Sequence, residues 1–231
     1  MTAFRLSLAR MTYGAAARLS KLAAALVILL GLALPAAAAG PVTIAALGDS
    51  LVQGYGLPPE RGLVPQLQDW LRERGEAATI QNAGVSGDTT AGGLSRVDWT
   101  LSGEIDAMIV ALGGNDLLRG IDPAVSRDNL QGILEAAAAG DVPVLLVGIS
   151  APGNYGPDYK AAFDAMYPEL AEAYGTLYHP GFFTAFAAGP DDPAAMRRYM
   201  QPDGIHPNAA GVSVIVDEIG PVVRDLIDRA R

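Results

Sequence analysis

A carboxylate and an imidazole lie three residues apart near the C-terminal end of this sequence. The stretch reads MQPDGIHPN, residues 200–208, and contains Asp203 and His206 with a proline beside each. Three roles suit this pattern: a rigid structural turn, a pair of metal ligands, or an acid–base pair. In the third role the carboxylate would fix the imidazole tautomer, and the imidazole would deprotonate a nucleophile.

A transition-metal site at this stretch would lack further nitrogen or sulfur ligands. The chain has no cysteine and only two histidines, and the other one, His179, suits a structural place at a strand end. Oxygen ligands are a separate case, since Mg²⁺ and Ca²⁺ prefer carboxylates and carbonyls. Asp49, Asn115 and Asp116 therefore remain an alternative site for such an ion.

A serine nucleophile could follow the first apolar run of the chain. Ser50 lies in GDSLVQGYG, residues 48–56, where a hydroxyl would be presented at the start of a helix. A histidine base would be needed to activate it. The alternative is an ordinary helix cap, because Ser and Asp are favoured there. The stretch is not the Gly-x-Ser-x-Gly elbow of other hydrolases.

Two further loops carry groups that could stabilise an oxyanion. NAGVSGDTT, residues 82–90, contains Gly87, whose backbone N–H could approach a ligand closely. GGND, residues 113–116, contains Asn115, whose side-chain amide could donate a hydrogen bond. Each loop also suits a plain turn or helix cap. All of these loops follow predicted strands, which favours one shared site.

Apolar runs alternate with helical patterns from residue 41 onward. The short runs predict buried strands at 42–47, 78–83, 106–114, 142–149 and 176–179. The helical patterns predict helices at 64–71, 89–101, from 123, at 158–174 and from 208, with an interruption at Gly220–Pro221. This alternation predicts an α/β fold, a parallel sheet covered by helices on both faces. Ligands of such sheets bind beyond the carboxyl ends of the strands.

The first 39 residues have the pattern of a secretory signal peptide. Their only charges are four basic residues, and the apolar run at 22–34 precedes an alanine-rich cleavage site. An uncleaved membrane anchor is the alternative, but this run is shorter than the ~20 residues that a spanning helix needs. We therefore expect a single mature domain at residues 40–231, periplasmic or secreted.

The charge of the predicted mature chain argues against polyanionic partners. Without its four N-terminal basic residues, the chain has 12 basic and 25 acidic residues, a net charge of −13. Such a surface repels nucleic acids and anionic lipid headgroups. We expect no nucleic-acid partner, no stable membrane insertion after cleavage, and a monomer by default.

Four motifs in order resemble the blocks of the SGNH (GDSL) hydrolase family. They are GDSL at Ser50, SGDTT at Gly87, GGND at Asn115 and DGIHP at Asp203 and His206, and they span the whole mature chain. The sequence between these motifs is similar to that of one branch of the family, the exported bacterial thioesterases, lysophospholipases and arylesterases. The resemblance implies a three-layer α/β/α sandwich with a flavodoxin-like five-stranded parallel sheet. It also implies hydrolysis of acyl esters or thioesters without metal or cofactor.

The resemblance also assigns roles to particular residues. Ser50 would be the nucleophile, His206 the general base and Asp203 the group that orients it. The oxyanion hole would combine the backbone N–H groups of Ser50 and Gly87 with the side-chain amide of Asn115. Substrate would contact two loops, at Leu117, Leu118, Arg119, Gly120, Ile121, Asp122, Pro123, Asn154 and Tyr155. Pro202 departs from the polar residue common in relatives, but it removes no catalytic group.

Two other functions are alternatives to acyl ester hydrolysis. A carbohydrate or lipid O-deacetylase would use the same triad. A non-catalytic binding protein on a flavodoxin-like sheet belongs to a different class. A nucleotide binder of that class would need a phosphate loop after the first strand, and GDSLVQGYG does not have the Gly-x-Gly-x-x-Gly spacing.

Overall fold

Five parallel strands form the centre of the fold in the computed structural model, which describes residues 40–186 and 197–231. The predicted signal peptide, residues 1–39, lies outside the described residues. The strands are β1 Val42–Gly48, β2 Ala78–Gly84, β3 Ala107–Ala111, β4 Val144–Val147 and β5 Leu177–His179. Their order in the sheet is β2-β1-β3-β4-β5. This order confirms the predicted flavodoxin-like sheet.

Each predicted strand is present, but three of them are shorter than predicted, β5 by a single residue. All residues of β3 and β4 are buried, as expected for parallel strands covered on both faces. The prediction for 106–114 is too long because Gly113 adopts a left-handed conformation, with φ of 115°, and a helix begins at Gly114. The prediction for 142–149 is also too long, since β4 covers only four residues.

The strand order creates a crevice at the carboxyl edge of the sheet. The order reverses between β1 and β3, so the chain leaves these neighbouring strands toward opposite faces. Gly48 at the end of β1 is level with Gly84 of β2 and with Ala111 of β3. The loops after these three strands therefore begin at the same level along the strand direction, at the carboxyl edge of the sheet.

Helices cover both faces of the sheet. They are α1 Ser50–Gln53, α2 Leu63–Glu73, α3 Thr90–Leu101, α4 Gly114–Arg119, α5 Pro123–Ala139, α6 Pro157–Tyr174 and α7 Ala209–Arg229, with short 3₁₀ helices at Pro59–Arg61, Gly153–Tyr155 and Phe182–Phe186. One core cluster joins the sheet to α2 and α7, and a second joins it to α3, α5 and α6. The result is the predicted three-layer sandwich. Among residues 40–186 and 197–231, no helix is long and apolar enough to cross a membrane.

Local sequence signals set the starts of two long helices. Pro123 is the first residue of α5, and the Asp122 side chain accepts a hydrogen bond from the backbone N–H of Ala124 at 2.9 Å. The Asn208 side chain caps α7 by accepting hydrogen bonds from two backbone N–H groups, each at 3.0 Å. The predicted starts at Pro123 and Asn208 are therefore confirmed.

The predicted interruption at Gly220–Pro221 is wrong, because α7 continues through both residues. The reason is tertiary packing, which outweighs the local cost of a helical proline. Gly220 is buried against the Trp70 ring, where a Cβ atom would lie 2.6 Å from the ring. The Trp70 indole N–H also donates to Asp217 on α7 at 3.0 Å. These contacts hold α7 against α2 along its buried face.

Candidate active site

Ser50 lies directly beyond the carboxyl end of β1, at the first residue of α1. Gly48 makes this tight turn possible, since a Cβ atom at that position would collide with the Val52 side chain and lie 2.9 Å from the carbonyl oxygen of Ala111. Asp49 caps α1, its side chain accepting a hydrogen bond from the Leu51 N–H at 3.0 Å. The Ser50 hydroxyl is thus held at the edge of the sheet.

A hydrogen-bonded chain connects Ser50 to the loop that contains Asp203 and His206. The Nε2 atom of His206 is 2.8 Å from the Oγ atom of Ser50. The Nδ1 atom of the same ring is 2.7 Å from the Oδ2 atom of Asp203. With its proton on Nδ1, the imidazole donates to the carboxylate and can accept the serine proton at Nε2.

The Asp203 carboxylate is fixed by its own loop. Its second oxygen, Oδ1, accepts hydrogen bonds from the backbone N–H groups of Ile205 at 2.9 Å and His206 at 3.1 Å. The hydrogen bond to the His206 ring, followed by these two backbone bonds, lowers the pKa of Asp203 to about 2. The carboxylate is therefore ionised at any pH at which the histidine could act as a base.

Neighbouring side chains hold the histidine loop in place. The Gln201 side chain donates to the carbonyl oxygens of Tyr55 at 2.8 Å and Pro207 at 3.0 Å. The Tyr55 ring lies against the His206 ring, with 4.7 Å between the ring centroids. Residues Met200 and Pro207 form an antiparallel bridge across the loop. These contacts hold the loop in place, and its side-chain hydrogen bonds come from Gln201 rather than from the prolines.

Gly87 and Asn115 reach the same site from the loops after β2 and β3. Gly87 has a φ of 84°, a conformation that favours glycine, and its carbonyl oxygen accepts a hydrogen bond from Arg119 at 2.8 Å. Asn115 is the second residue of α4, and its Nδ2 atom donates to the Oδ2 atom of Asp49 at 3.3 Å. Asp49 therefore contacts both the helix of Ser50 and the amide of Asn115.

Burial raises the pKa of the Asp49 carboxyl, although hydrogen bonds from Leu51 and Asn115 and the nearby His206 oppose this effect. The side chain is 4% exposed and lies at the floor of the site. The sequence interpretation treated Asp49 as a possible cap or metal ligand. The structure shows that Asp49 is the cap of α1 and that its buried carboxyl group also accepts one N–H of Asn115.

The sequence analysis missed two hydrogen-bond networks below the site. The buried Asp116 side chain accepts from the Thr90 N–H at 2.8 Å, the Thr90 hydroxyl at 2.6 Å and the Ser126 hydroxyl at 3.0 Å. It thereby ties α4, which contains Asn115, to the start of α3. Asp116 directly follows Asn115 in GGND, but its partners are distant in sequence and gave no local signal.

Arg96 forms the second network. Its guanidinium donates to the Asp88 carboxylate at 2.7 Å, to the Ala83 carbonyl at 2.7 Å and to the Gly48 carbonyl at 2.9 Å. Since both side chains of the Arg96–Asp88 pair are less than one fifth exposed, solvent screens the pair only partly. Arg96 thus joins the ends of β1 and β2 to the loop that contains Gly87.

The residues of the site surround one cavity of about 540 Å³. Its walls include Ser50, Gly87, Asn115 and His206. Most of its other lining side chains are apolar or small: Leu51, Tyr55, Leu117, Leu118, Ile149, Pro152, Phe183, Met200 and Ile205. The size and the apolar walls suit a small organic substrate with a few directional polar contacts.

The predicted substrate-binding residues divide into two groups. Leu117 and Leu118 line the cavity. The remaining ones, Arg119, Gly120, Ile121, Asp122, Pro123, Asn154 and Tyr155, are not among its lining residues. Tyr155 instead lies against Gly120 and contacts Tyr159 with tilted rings, whose centroids are 4.9 Å apart.

In the alternative oxygen-ligand site for a metal ion, the Asp49 carboxyl group is engaged by the Asn115 side chain. Within the described ranges, 40–186 and 197–231, no group of three or more His, Asp or Glu side chains could hold an ion. Asp116 is instead engaged by Thr90 and Ser126.

His179 is buried at the end of β5, where its Nδ1 atom accepts from the Gly181 N–H at 3.3 Å and its Nε2 atom lies 3.5 Å from Glu218. Burial lowers its pKa, although Glu218 opposes this effect. These contacts fit the structural place predicted for His179.

The fold and this geometry define a class of protein. A parallel α/β/α sandwich with a Ser–His–Asp chain at the carboxyl edge of its sheet is the arrangement of a serine hydrolase. Residues 46–214 match the family model described as GDSL-like lipase/acylhydrolase. The chain belongs to this family.

Named relatives agree with the family assignment. Esterase TesA of Pseudomonas aeruginosa is 38% identical over 186 residues, covering 80% of this chain and 89% of the relative. Thioesterase 1/protease 1/lysophospholipase L1 of Escherichia coli K12 is 34% identical over 192 residues, covering 83% and 88%. The crystal structure of AlinE4, an SGNH-hydrolase family esterase, is 44% identical, with a TM-score of 0.64 and coverage of 80% and 95%.

We expect the Asp203 carboxyl to titrate near pH 2 in the folded protein. Because its folded pKa is below the ordinary aspartate value of 3.8, its contribution to stability is present above about pH 4 and is lost as the pH falls toward 2. Carbon-13 NMR of the aspartate carboxyls can follow this titration. In His206→Ala the midpoint should rise toward 3.8, and a midpoint that stays in place would contradict the assigned cause.

We expect Asp49→Asn to lower kcat while leaving KM nearly unchanged. An amide at residue 49 would turn a donor toward the donor of Asn115, so the Asn115 side chain would lose its fixed orientation. A loss of about tenfold or more in kcat is expected, since a single oxyanion donor contributes 10²–10³. Steady-state kinetics with an activated ester measures it, with the exposed Asp69→Asn as control. A wild-type kcat in Asp49→Asn would exclude this role.

Proposed function

We propose that this protein hydrolyses acyl esters and acyl thioesters through an acyl-enzyme intermediate on Ser50. The observation that carries the proposal is the chain of hydrogen bonds from Ser50 to His206 at 2.8 Å and from His206 to Asp203 at 2.7 Å. This chain opens into a largely apolar cavity. The relatives named as an esterase and as a thioesterase/lysophospholipase support the same substrate class.

Acylation begins when Ser50 Oγ forms a bond to the carbonyl carbon of the substrate. His206 Nε2 takes the hydroxyl proton, and the carbonyl electron pair moves to the oxygen. When this tetrahedral intermediate collapses, the bond to the leaving oxygen or sulfur breaks, and the leaving atom takes the proton from His206. Asp203 stabilises the imidazolium that exists between the two proton transfers.

Deacylation repeats these steps with water as the nucleophile. Water gives a proton to His206 Nε2 as its oxygen bonds to the acyl carbon. The second intermediate releases the carboxylic acid, and Ser50 Oγ recovers its proton from the imidazolium. No metal ion is required for either half-reaction, because the histidine supplies both the base and the acid.

The oxyanion of both intermediates is assigned to three donors. They are the backbone N–H groups of Ser50 and Gly87 and the free N–H of the Asn115 side chain. Asp49 holds the other Asn115 N–H at 3.3 Å, and Arg119 holds the carbonyl oxygen of Gly87 at 2.8 Å. Donors that are fixed before the reaction need no reorganisation as charge develops, which is why they stabilise the transition state effectively.

The cavity favours acyl esters over O-acetylated carbohydrates. Its walls are mostly apolar over a volume of about 540 Å³, far more than an acetyl group would fill. A sugar-binding site would need polar groups for the hydroxyls of its substrate. The positions of Ser50, His206 and Asp203 likewise support catalysis over a binding role without chemistry.

We expect Ser50→Ala to lose about 10³-fold or more in kcat/KM, because no other group can form the acyl-enzyme. Hydrolysis of p-nitrophenyl esters and of acyl-CoA measures the loss. The wild-type protein should retain its activity in EDTA, since the proposed steps use no metal. Equal activity in Ser50→Ala and wild type would refute the mechanism, and a tenfold preference for acyl-CoA would identify the thioester as the better substrate.

Export is part of the proposal, and it rests on sequence alone. Residues 1–39 have the charge and apolar pattern of a signal peptide, and a mature chain with a net charge of −13 suits a freely diffusing monomer. The mass of the protein recovered from the periplasm or medium tests it. A full-length mass, or recovery only in the membrane fraction, would contradict export with cleavage.

A further inference from the structure

A second cavity, of about 290 Å³, adjoins the cavity of the active site. It lies at the carboxyl ends of β3 and β4 and beneath the 3₁₀ helix Phe182–Phe186. The two cavities share six lining residues: Asp49, Leu51, Gly114, Ile149, Ser150 and Phe183. They are therefore neighbours with a common wall rather than separate sites, and we call the smaller one the inner cavity.

The inner cavity offers little to a polar ligand. The side chains of Ala111, Val147, Phe182 and Leu51 belong to or pack against the apolar core on the α2 and α7 face of the sheet. Cavities with such walls stay dry and accept hydrocarbon. A buried alkyl chain would thus be stabilised there by the removal of its methylene groups from water.

The polar side chains that line the inner cavity already have partners within the protein. The Thr184 hydroxyl lies 2.5 Å from the Gly181 carbonyl oxygen and 2.7 Å from the Glu218 carboxylate. The Asp49 carboxylate accepts hydrogen bonds from Leu51 and Asn115. Nothing in this arrangement requires a polar ligand to satisfy it.

The reaction geometry decides which part of the substrate points toward the inner cavity. The leaving atom must receive its proton from His206, so the leaving group belongs on the side of the histidine loop. Tyr55, Gly204, Ile205 and His206 line the larger cavity only. The inner cavity has none of these residues in its lining and meets the larger cavity at Asp49 and Gly114, so we assign the acyl chain to this side.

We propose that the inner cavity binds the distal part of long acyl chains, and that Ile149 and Phe183 form the passage into it. This assignment rests on the proposed function and extends it to a preference for chain length. Both passage side chains are half-buried and line both cavities. Short acyl groups end before the passage, so only substrates with long chains depend on the inner cavity.

Ala111 limits the depth of the inner cavity and provides its test. It is the last residue of β3, 8% exposed, and its small side chain leaves the space between the strand end and the 3₁₀ helix open. Ala111→Leu should fill part of this space. Ala107→Leu is the matched control, since Ala107 lies on the same face of β3 but lines neither cavity.

The measurement is the ratio of kcat/KM for p-nitrophenyl dodecanoate to kcat/KM for p-nitrophenyl acetate. Ala111→Leu should lower this ratio about tenfold or more, because a hydrophobic pocket discriminates about 10-fold or more per methylene that no longer fits. The control should leave the ratio within about twofold of wild type, whatever it does to stability. An unchanged ratio in Ala111→Leu, or an equal fall in both variants, would overturn the proposal.

Two further experiments show whether a negative result comes from misfolding or from failure of the proposed function rather than from the inner cavity. If Ala111→Leu fails to fold, Ala111→Val makes the same test with a smaller, strand-compatible side chain. Calorimetric binding of dodecanoate to Ser50→Ala needs no catalysis. Its affinity should fall about tenfold or more when Ala111→Leu is added, and an unchanged affinity would overturn the inner-cavity assignment even if the esterase mechanism holds.

Discussion

The hydrogen bond between Ser50 and His206 joins residues that are 156 positions apart, and the rest of the site depends on it. It forms only because α7 packs on the same face of the sheet as α2 and begins at the Asn208 cap, two residues after the histidine. Gln201 then fixes the preceding loop to Tyr55, which follows α1. The fold therefore sets the serine–histidine distance through packing, and the loop itself supplies only the final orientation.

Two carboxylates near this hydrogen bond have opposite surroundings and opposite pKa shifts. Asp203 is exposed and hydrogen-bonded to the histidine and to backbone N–H groups, which lower its pKa to about 2. Asp49 is buried beside the Asn115 side chain, and burial raises its pKa. In the proposed mechanism, the ionised Asp203 would stabilise the imidazolium of His206. The two carboxyl groups thus differ in their pKa because one is exposed and hydrogen-bonded while the other is desolvated.

The sequence predicted the parts of this structure that depend on local pattern. The five strands, the start of α5 at Pro123 and the four motif loops could be read directly, because each carries its own apolar run, cap or glycine. The continuous α7 could not, since the contact between Gly220 and Trp70 that stabilises it is not local. The same holds for Arg96, whose partners at Gly48, Ala83 and Asp88 come from three different segments.

Two small residues at the ends of adjacent strands, Gly48 and Ala111, affect the position of Ser50 and the size of the inner cavity. Gly48 permits the turn that presents Ser50, and in the sheet it is level with Ala111, whose small side chain leaves the inner cavity open. The catalytic loop and the proposed acyl site are therefore built on neighbouring positions of two adjacent strands. A larger side chain at Gly48 would collide with Val52 on α1, the helix that begins at Ser50, whereas one at Ala111 would extend into the inner cavity. Under the proposed acyl site, β3 would therefore set the chain-length preference, and β1 would set the position of Ser50.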